Sequence, residues 1–310
     1  MRKIISKVQD VNNTISIDYL SDFVNYLDVS PATIQTYSKS LRQMFKFFAL
    51  NEIHNPTRED IVSFRRYLEQ EGKKPSTIAL YLASAKRFFA WTEQKGLYAN
   101  IAQGVKAPRQ SKSHKKDCLS SSQVKNMLKG IDRRSLEGKR NFALLALMAT
   151  CGLRTIEVVR ANIEDLRNEG EILCLYIQGK GRNAKDEFVK ISEPVEVAIR
   201  EYLNARGQCK DTEPLFASCS HRNCGQRLTT RTISGLCKNS MIRAGLKSSR
   251  LTAHSLRHTA ITLALLSGLS LSEVSEFARH SSISVTTIYA HHVNRLKSQC
   301  ELSVSNAIFS

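Results

Sequence analysis

Between Asn141 and Cys151 the chain reads NFALLALMATC, which as a helix is apolar on every face. A helix with no face to offer water must be enclosed by other elements, so this run marks the centre of a packed core. It is well short of the roughly 18 residues that a membrane span needs, and no other apolar run approaches that length. The run breaks at Gly152 and resumes as LRTIEVVRA. A chain of 310 residues has room for about two such cores at roughly 150 residues each. With 42% hydrophobic residues and few glycines or prolines it is neither disordered nor fibrous.

The first part reads as helices. Apolar spacing in ISIDYLSDFVNYL is followed by PATIQTYSKSLRQMFKFFALNE, where Ser30 suits an N-cap and Pro31 the first helical position. Thr57 and Asp60 have capping-box spacing ahead of a helix that Gly72 can stop, and a fourth helix runs from about Pro75 to Lys95. The second and fourth helices echo each other 44 residues apart, in Pro31/Pro75, Thr33/Thr77, Ile34/Ile78, Tyr37/Tyr81, Ser40/Ser84 and Arg42/Lys86. Either a duplication or two amphipathic helices with similar starts accounts for the echo.

GVKAPRQSKSHKKD, residues 104–117, is basic and has no apolar period, as expected of an exposed linker. Beyond it, SSSQVKNMLKGI opens on a serine cap. EILCLYIQ and EFVKIS then alternate as strands around the turn residues GKGRNAKD, giving a β-hairpin with a basic tip. Helices resume from Pro194, and RLKSQCELSVSNAIFS has the pattern of a last helix.

The net charge is +18, with both halves basic, which fits a protein that holds a polyanion such as nucleic acid better than one localised patch would. Eight cysteines without a CxxC pair imply free thiols in a reducing compartment. MRKIISKVQD lacks the apolar stretch of a secretory signal, so a bacterial cytoplasmic, nucleoid-associated location is expected.

Three stretches carry polar residues where packing is expected. In CGLRTIEVV, Arg154 follows the buried helix with Glu157 one turn on, and either an internal ion pair or an anion site satisfies the guanidinium. In TAHSLRHTAITLALLSG, Thr252 can cap a helix that puts His254 and Arg257 three residues apart on one face, a pair suited to a phosphate. FARHSSISVTTIYAHH sets His280 and Tyr289 in a Ser- and Thr-rich, turn-like context. A tyrosine, with pKa near 10, becomes a nucleophile where cations stabilise the phenolate. His258 is open between packing and phosphate contact. Cys219, His221 and Cys224 resemble part of a zinc site, but no fourth ligand is evident, and an exposed loop is the expectation.

In order along the chain, GLRTIE, GKG on a hairpin, HSLRH and HSSISVTTIY resemble the boxes of the tyrosine recombinases, the phage integrase, Xer and Cre family. The resemblance covers residues 118 to about 298 and extends to the helical first half, similar to the family's core-binding domain. It implies a mainly α, two-domain clamp on double-stranded DNA: a helical core-binding domain at 1–107, a basic linker at 108–117, and a mixed α+β catalytic domain at 118–310 with a small β-hairpin or sheet.

By the same resemblance Tyr289 attacks the scissile phosphate to form a 3′-phosphotyrosyl link, and Arg154 and Arg257 bind the non-bridging oxygens. Lys180 is the general acid, with Lys185 the other candidate. His254 acts in proton transfer with Tyr289, His280 donates to the phosphate, and Glu157 orients the site. Lys39, Arg42 and Lys86 face DNA, although solvated helix charge explains each of them as well. No cofactor or metal is needed, because the covalent link stores the phosphodiester energy, and the sequence has no P-loop and no clustered acidic ligands.

The expected partners are DNA recombination sites, a tetramer of this chain in which the apolar tail packs into a neighbour, and an accessory directionality factor, with no membrane. The expected role is integration or excision of a mobile element, because Arg279 stands where the family often has glycine and the hairpin also departs from the Xer pattern. Xer-like dimer resolution is the alternative. A type IB topoisomerase shares the chemistry without strand exchange, and a non-enzymatic DNA-binding regulator leaves the set of site residues unexplained.

Overall fold

The computed structural model describes residues 15–109, 117–179 and 182–309. The chain divides into two compact units, Met1–Ser111 and Lys112–Ser310. Most of the basic stretch read as a linker, and Lys180 in the hairpin, lie outside the described residues.

The first unit holds helices α1 (Tyr19–Tyr26), α2 (Pro31–Leu50), α3 (Arg58–Gln70) and α4 (Pro75–Gln94). The 44-residue echo is structural: α2 and α4 are both 20 residues long and both open on proline. Ser40 and Ser84 are buried at equivalent positions, each hydroxyl donating to the carbonyl four residues back, at Thr36 (2.9 Å) and Leu80 (3.0 Å). The serines therefore need no partner from another helix. Aromatic rings fill the space between the helices, with Phe88 meeting Phe23 and Phe45 edge-on at centroid distances of 5.4 and 5.6 Å. The capping box predicted at Thr57 and Asp60 is present, with the Thr57 N–H donating to Asp60 Oδ2 at 2.7 Å.

In the second unit the run that opened the sequence analysis is α6 (Leu136–Cys151), which follows α5 (Ser121–Lys129). It is buried along nearly its whole length and packs against α8 (Glu193–Arg206) and α10 (Ala253–Leu266). Gly152 ends it at φ 58, in the left-handed region where a side chain is disfavoured. Then come α7 (Thr155–Arg160) and an antiparallel sheet of β1 (Leu166–Glu169), β2 (Ile172–Ile177) and β3 (Glu187–Lys190), in that order, with Leu175 opposite both Leu166 and Val189. The predicted hairpin is β2 and β3. β1 escapes a sequence reading because its four residues LRNE are mostly exposed and show no alternation.

The remaining helices are α9 (Thr230–Arg243), α11 (Leu271–Ala278), α12 (Ile283–Lys297) and α13 (Cys300–Phe309). One expectation is corrected here. The Ser- and Thr-rich context of Tyr289 is turn-like only at residues 280–282, after which Ser282 caps α12, accepting from the Ser284 N–H, and Tyr289 rides on that helix. Short polar side chains at 282, 284, 286 and 287 hide the apolar period. CSHRNC is a surface turn closed by the Ser218 N–H on the Gln226 carbonyl at 2.8 Å.

Candidate active site

Two helix ends and two helix starts build the site. The end of α6 at Gly152 places Arg154 immediately before α7, whose first turn returns Glu157 to it. Glu157 is fully buried. Its Oε2 accepts from the Arg154 N–H (2.8 Å), capping α7, while Oε1 accepts from Arg154 Nη1 (2.7 Å). The ion pair and the anion site expected as alternatives are thus compatible, since Arg154 is held by Glu157 and a quarter of its side chain remains exposed.

Arg257, one turn into α10, is 2% exposed and anchored on main chain, donating to the Gly152 carbonyl at 2.7 Å and to the Ala278 carbonyl. Burial, then the neighbouring Arg154 and Arg279, pull its pKa down to about 10, so it keeps its charge at neutral pH. His254, at the exposed start of α10, stands edge-on to His258 with centroids 4.6 Å apart. On one side of His254 an open pocket is lined by Thr155, Ser234, Lys238, Leu251 and Thr252.

Arg279 ends α11 in the left-handed conformation at φ 52. The sequence offered no partner for it. The structure gives it Glu157 Oε2 (3.2 Å), the Phe277 carbonyl (2.8 Å) and the Gly152 carbonyl (3.3 Å), while its own carbonyl accepts from Arg154 Nη2 (3.3 Å). Its Nε is buried without a hydrogen-bond partner. Three guanidinium groups thus surround one carboxylate, leaving an excess of positive charge that would be costly without an anion.

Tyr289 lies over this cluster, 6% exposed, with the His280 ring stacked at 6.1 Å. Burial pushes its hydroxyl up to about 12, against the pull of Arg257 and Arg154. His280 is pushed down to about 4 by burial and then by Arg257, Arg154, Arg279 and His254, so it is neutral at pH 7. Its Nδ1 meets the hydroxyl of the buried Thr286 at 2.8 Å, which fixes the ring. With Thr286 as donor, Nε2 carries the ring proton and is a neutral donor. The nitrogen in contact with the Tyr289 hydroxyl is Nδ1 of His258.

The structure therefore brings Arg154, Glu157, His254, Arg257, His280 and Tyr289 together, and adds His258, Arg279 and Thr286. Lys180 lies outside the described residues. Lys185 is engaged elsewhere, on the buried Asp165 at 2.5 Å. In the first unit Lys39 and Arg42 are exposed on one side of α2, lining a shallow pocket with Lys46, and Lys86 is half-buried on α4.

A tyrosine hydroxyl beside buried arginines and histidines, on a mainly helical two-unit chain, defines a class of phosphate-handling enzyme, and comparison with known proteins specifies it. Residues 117–295 match the phage integrase family, and residues 18–96 match the phage integrase N-terminal SAM-like domain. Tyrosine recombinase XerD of Listeria innocua is 27% identical over 88% of this chain and 94% of its own. Tyrosine recombinase XerC of Haemophilus influenzae is 31% identical over 88% and 92%. The crystal structure of the XerH site-specific recombinase bound to a palindromic difH substrate, at 21% identity, shares the fold with a TM-score of 0.73 over 92% of this chain and 84% of that one. The chain belongs to the phage integrase family and is a tyrosine site-specific recombinase.

Proposed function

We propose that the protein cuts and rejoins duplex DNA at specific sites through a 3′-phosphotyrosyl link to Tyr289. The observation that carries this reading is the excess positive charge buried beside the Tyr289 hydroxyl, from Arg154, Arg257 and Arg279 against Glu157 alone. A phosphodiester gains negative charge as it becomes pentacoordinate, so a site of this sign favours the transition state over the ground state. Arg154 and Arg257 hold the non-bridging oxygens, His280 donates to one of them from Nε2, and Lys180 protonates the departing 5′-oxygen. The energy of the broken bond stays in the tyrosyl link, and a 5′-hydroxyl from a second strand recovers it without a cofactor.

The helical unit serves as the core-binding domain, with Lys39, Arg42 and Lys86 toward the DNA backbone, and the second unit is catalytic, with the boundary in 108–117. Self-association to a tetramer on two sites would cover the apolar residues that α13 exposes, Leu302, Val304, Ile308 and Phe309. Action on DNA places the protein in the cytoplasm, at the nucleoid.

The role is integration and excision of a mobile element, with a directionality factor biasing the outcome. Arg279, in a position glycine suits, is the feature that favours it. Xer-like dimer resolution is the second reading, favoured by the match to XerD and XerC over almost their full lengths.

The test is covalent trapping on a nicked duplex carrying a site selected by the protein from a random-sequence library. A protein–DNA band on a denaturing gel is expected from the wild type and not from Tyr289→Phe. A band that persists in the variant would show that the nucleophile lies elsewhere. Recombination between two selected sites on one plasmid then separates a recombinase from a topoisomerase, which relaxes the plasmid without exchange.

A further inference from the structure

We infer that His258 is the proton acceptor for Tyr289: its Nδ1 takes the phenolic proton as Oη attacks the phosphate and returns it when the DNA strand is rejoined. The inference rests on the reading of Tyr289 as the nucleophile. In the forward step the Oη–phosphorus bond forms and the bond from phosphorus to the 5′-oxygen breaks. The phenolic proton passes to His258, and the general acid protonates the 5′-oxygen. Rejoining reverses each transfer, with no outside reactant.

The geometry that carries this is the placement of two helices. His258 lies one residue beyond the anchored Arg257 on α10 and one turn after His254, and Tyr289 faces it from α12. Nδ1 of His258 is in hydrogen-bond contact with Tyr289 Oη, and the two rings lie 5.3 Å apart. With Tyr289 as donor, the His258 ring carries its own proton on Nε2.

The other groups facing the hydroxyl suit different tasks. Arg257 on α10 and Arg154 before α7 draw the phenol toward ionisation but cannot take a proton from it. His280, between α11 and α12, has Nδ1 committed to Thr286. Arg279 is turned onto Glu157. His254, to which the family resemblance gives proton transfer with Tyr289, sits at the exposed start of α10 and packs edge-on against the buried His258, so the ring in contact with the hydroxyl is that of His258. Burial raises the phenol far above neutrality, so attack at pH 7 needs an acceptor in contact.

The test is single-turnover formation of the covalent complex on the selected nicked duplex, followed from pH 6 to 9 for the wild type, His258→Asn and His258→Gln. Both variants keep a hydrogen-bonding side chain but cannot accept a proton. The rate is expected to fall about a hundredfold or more with little change in DNA binding. The remaining rate should climb about tenfold per pH unit, because the phenol must then lose its proton to solvent. A variant rate within a few-fold of wild type, or a lower rate with the wild-type pH profile, would mean that His258 only packs against Tyr289. Absence of a wild-type band would instead overturn the Tyr289 reading and this inference with it.

A measurement on the unaltered protein guards against variants that fail to fold. In ¹⁵N-histidine spectra at pH 8, the ring proton of His258 should be found on Nε2. Finding the proton on Nδ1 would make the ring a donor to Tyr289 and refute the inference.

Discussion

Glu157 and Arg279, 122 residues apart in the chain, meet as an ion pair at 3.2 Å with both side chains almost wholly buried. The same carboxylate oxygen caps α7 through the Arg154 N–H. One glutamate therefore ties the end of α11 to the start of α7 and fixes the guanidinium between them.

Removing that carboxylate should be costly in two ways. Glu157→Ala leaves two arginines without their shared counter-charge, and breaking a buried pair typically destabilises by about 3–5 kcal/mol. Urea unfolding of the second unit should show a loss of that order. Glu157→Gln, which retains acceptor capacity, should lose less, and both should slow covalent trapping.

At position 279 two effects oppose each other. Arg279→Met removes the pair but keeps a side chain in the left-handed conformation, which costs on the order of 1 kcal/mol, whereas Arg279→Gly removes both the pair and the strain. The glycine variant should therefore be the more stable of the two by about that amount in denaturant titration. Equal stability would indicate that the backbone there is unstrained.

His280 gives a pH signature. Its folded pKa, about 4, is depressed below the value near 6.5 of the unfolded chain, so the unfolded state binds more protons between these limits. Stability from this residue is present above pH 6.5 and is lost as the pH falls through 4. Because the ring is partly open to solvent, the loss should be on the order of 2 kcal/mol rather than the full shift. His280→Gln should flatten that slope in urea titrations at pH 7 and pH 4.5.

The two lysines of the hairpin region should separate by substrate chemistry. Lys180→Met should cut DNA slowly, and a duplex with sulfur in place of the 5′ bridging oxygen should restore the rate, because a thiolate leaves without protonation. Lys185→Met should instead lower stability by leaving the buried Asp165 unpaired, with no rescue by the sulfur substrate.

For the first unit, Lys39→Ala combined with Arg42→Ala should weaken DNA binding evenly across sequences. The slope of log affinity against log salt should shrink by about one to two. A change confined to one base position would mean that these side chains read bases.

Much of this was legible in the sequence because the signals were local. Ser30, Pro31, Thr57 and Thr252 marked helix starts through side chains that act within one turn, and the 44-residue echo carried the pairing of α2 with α4. Arg154, Arg257, His280 and Tyr289 stood out as polar residues among apolar periods. The contacts of His258 and Arg279 were hidden, because one depends on how α10 crosses α12 and the other on a glutamate far away in the chain. Thr286 looked like one more hydroxyl in a polar stretch, and β1 was too short and too exposed to leave a pattern.

Arg257 takes its bonds from the carbonyl oxygens of Gly152 and Ala278, where α6 and α11 end. A side-chain replacement at Ala278 cannot delete its bond, since every amino acid supplies the same oxygen, and at Gly152 a side chain acts only through the strain it puts on the left-handed turn. The seat of this arginine is specified by the route of the polypeptide, so the composition of the two helices can drift widely while the guanidinium stays aimed. Only an edit that reroutes the chain, such as an inserted residue or a proline at either terminus, would dislodge it.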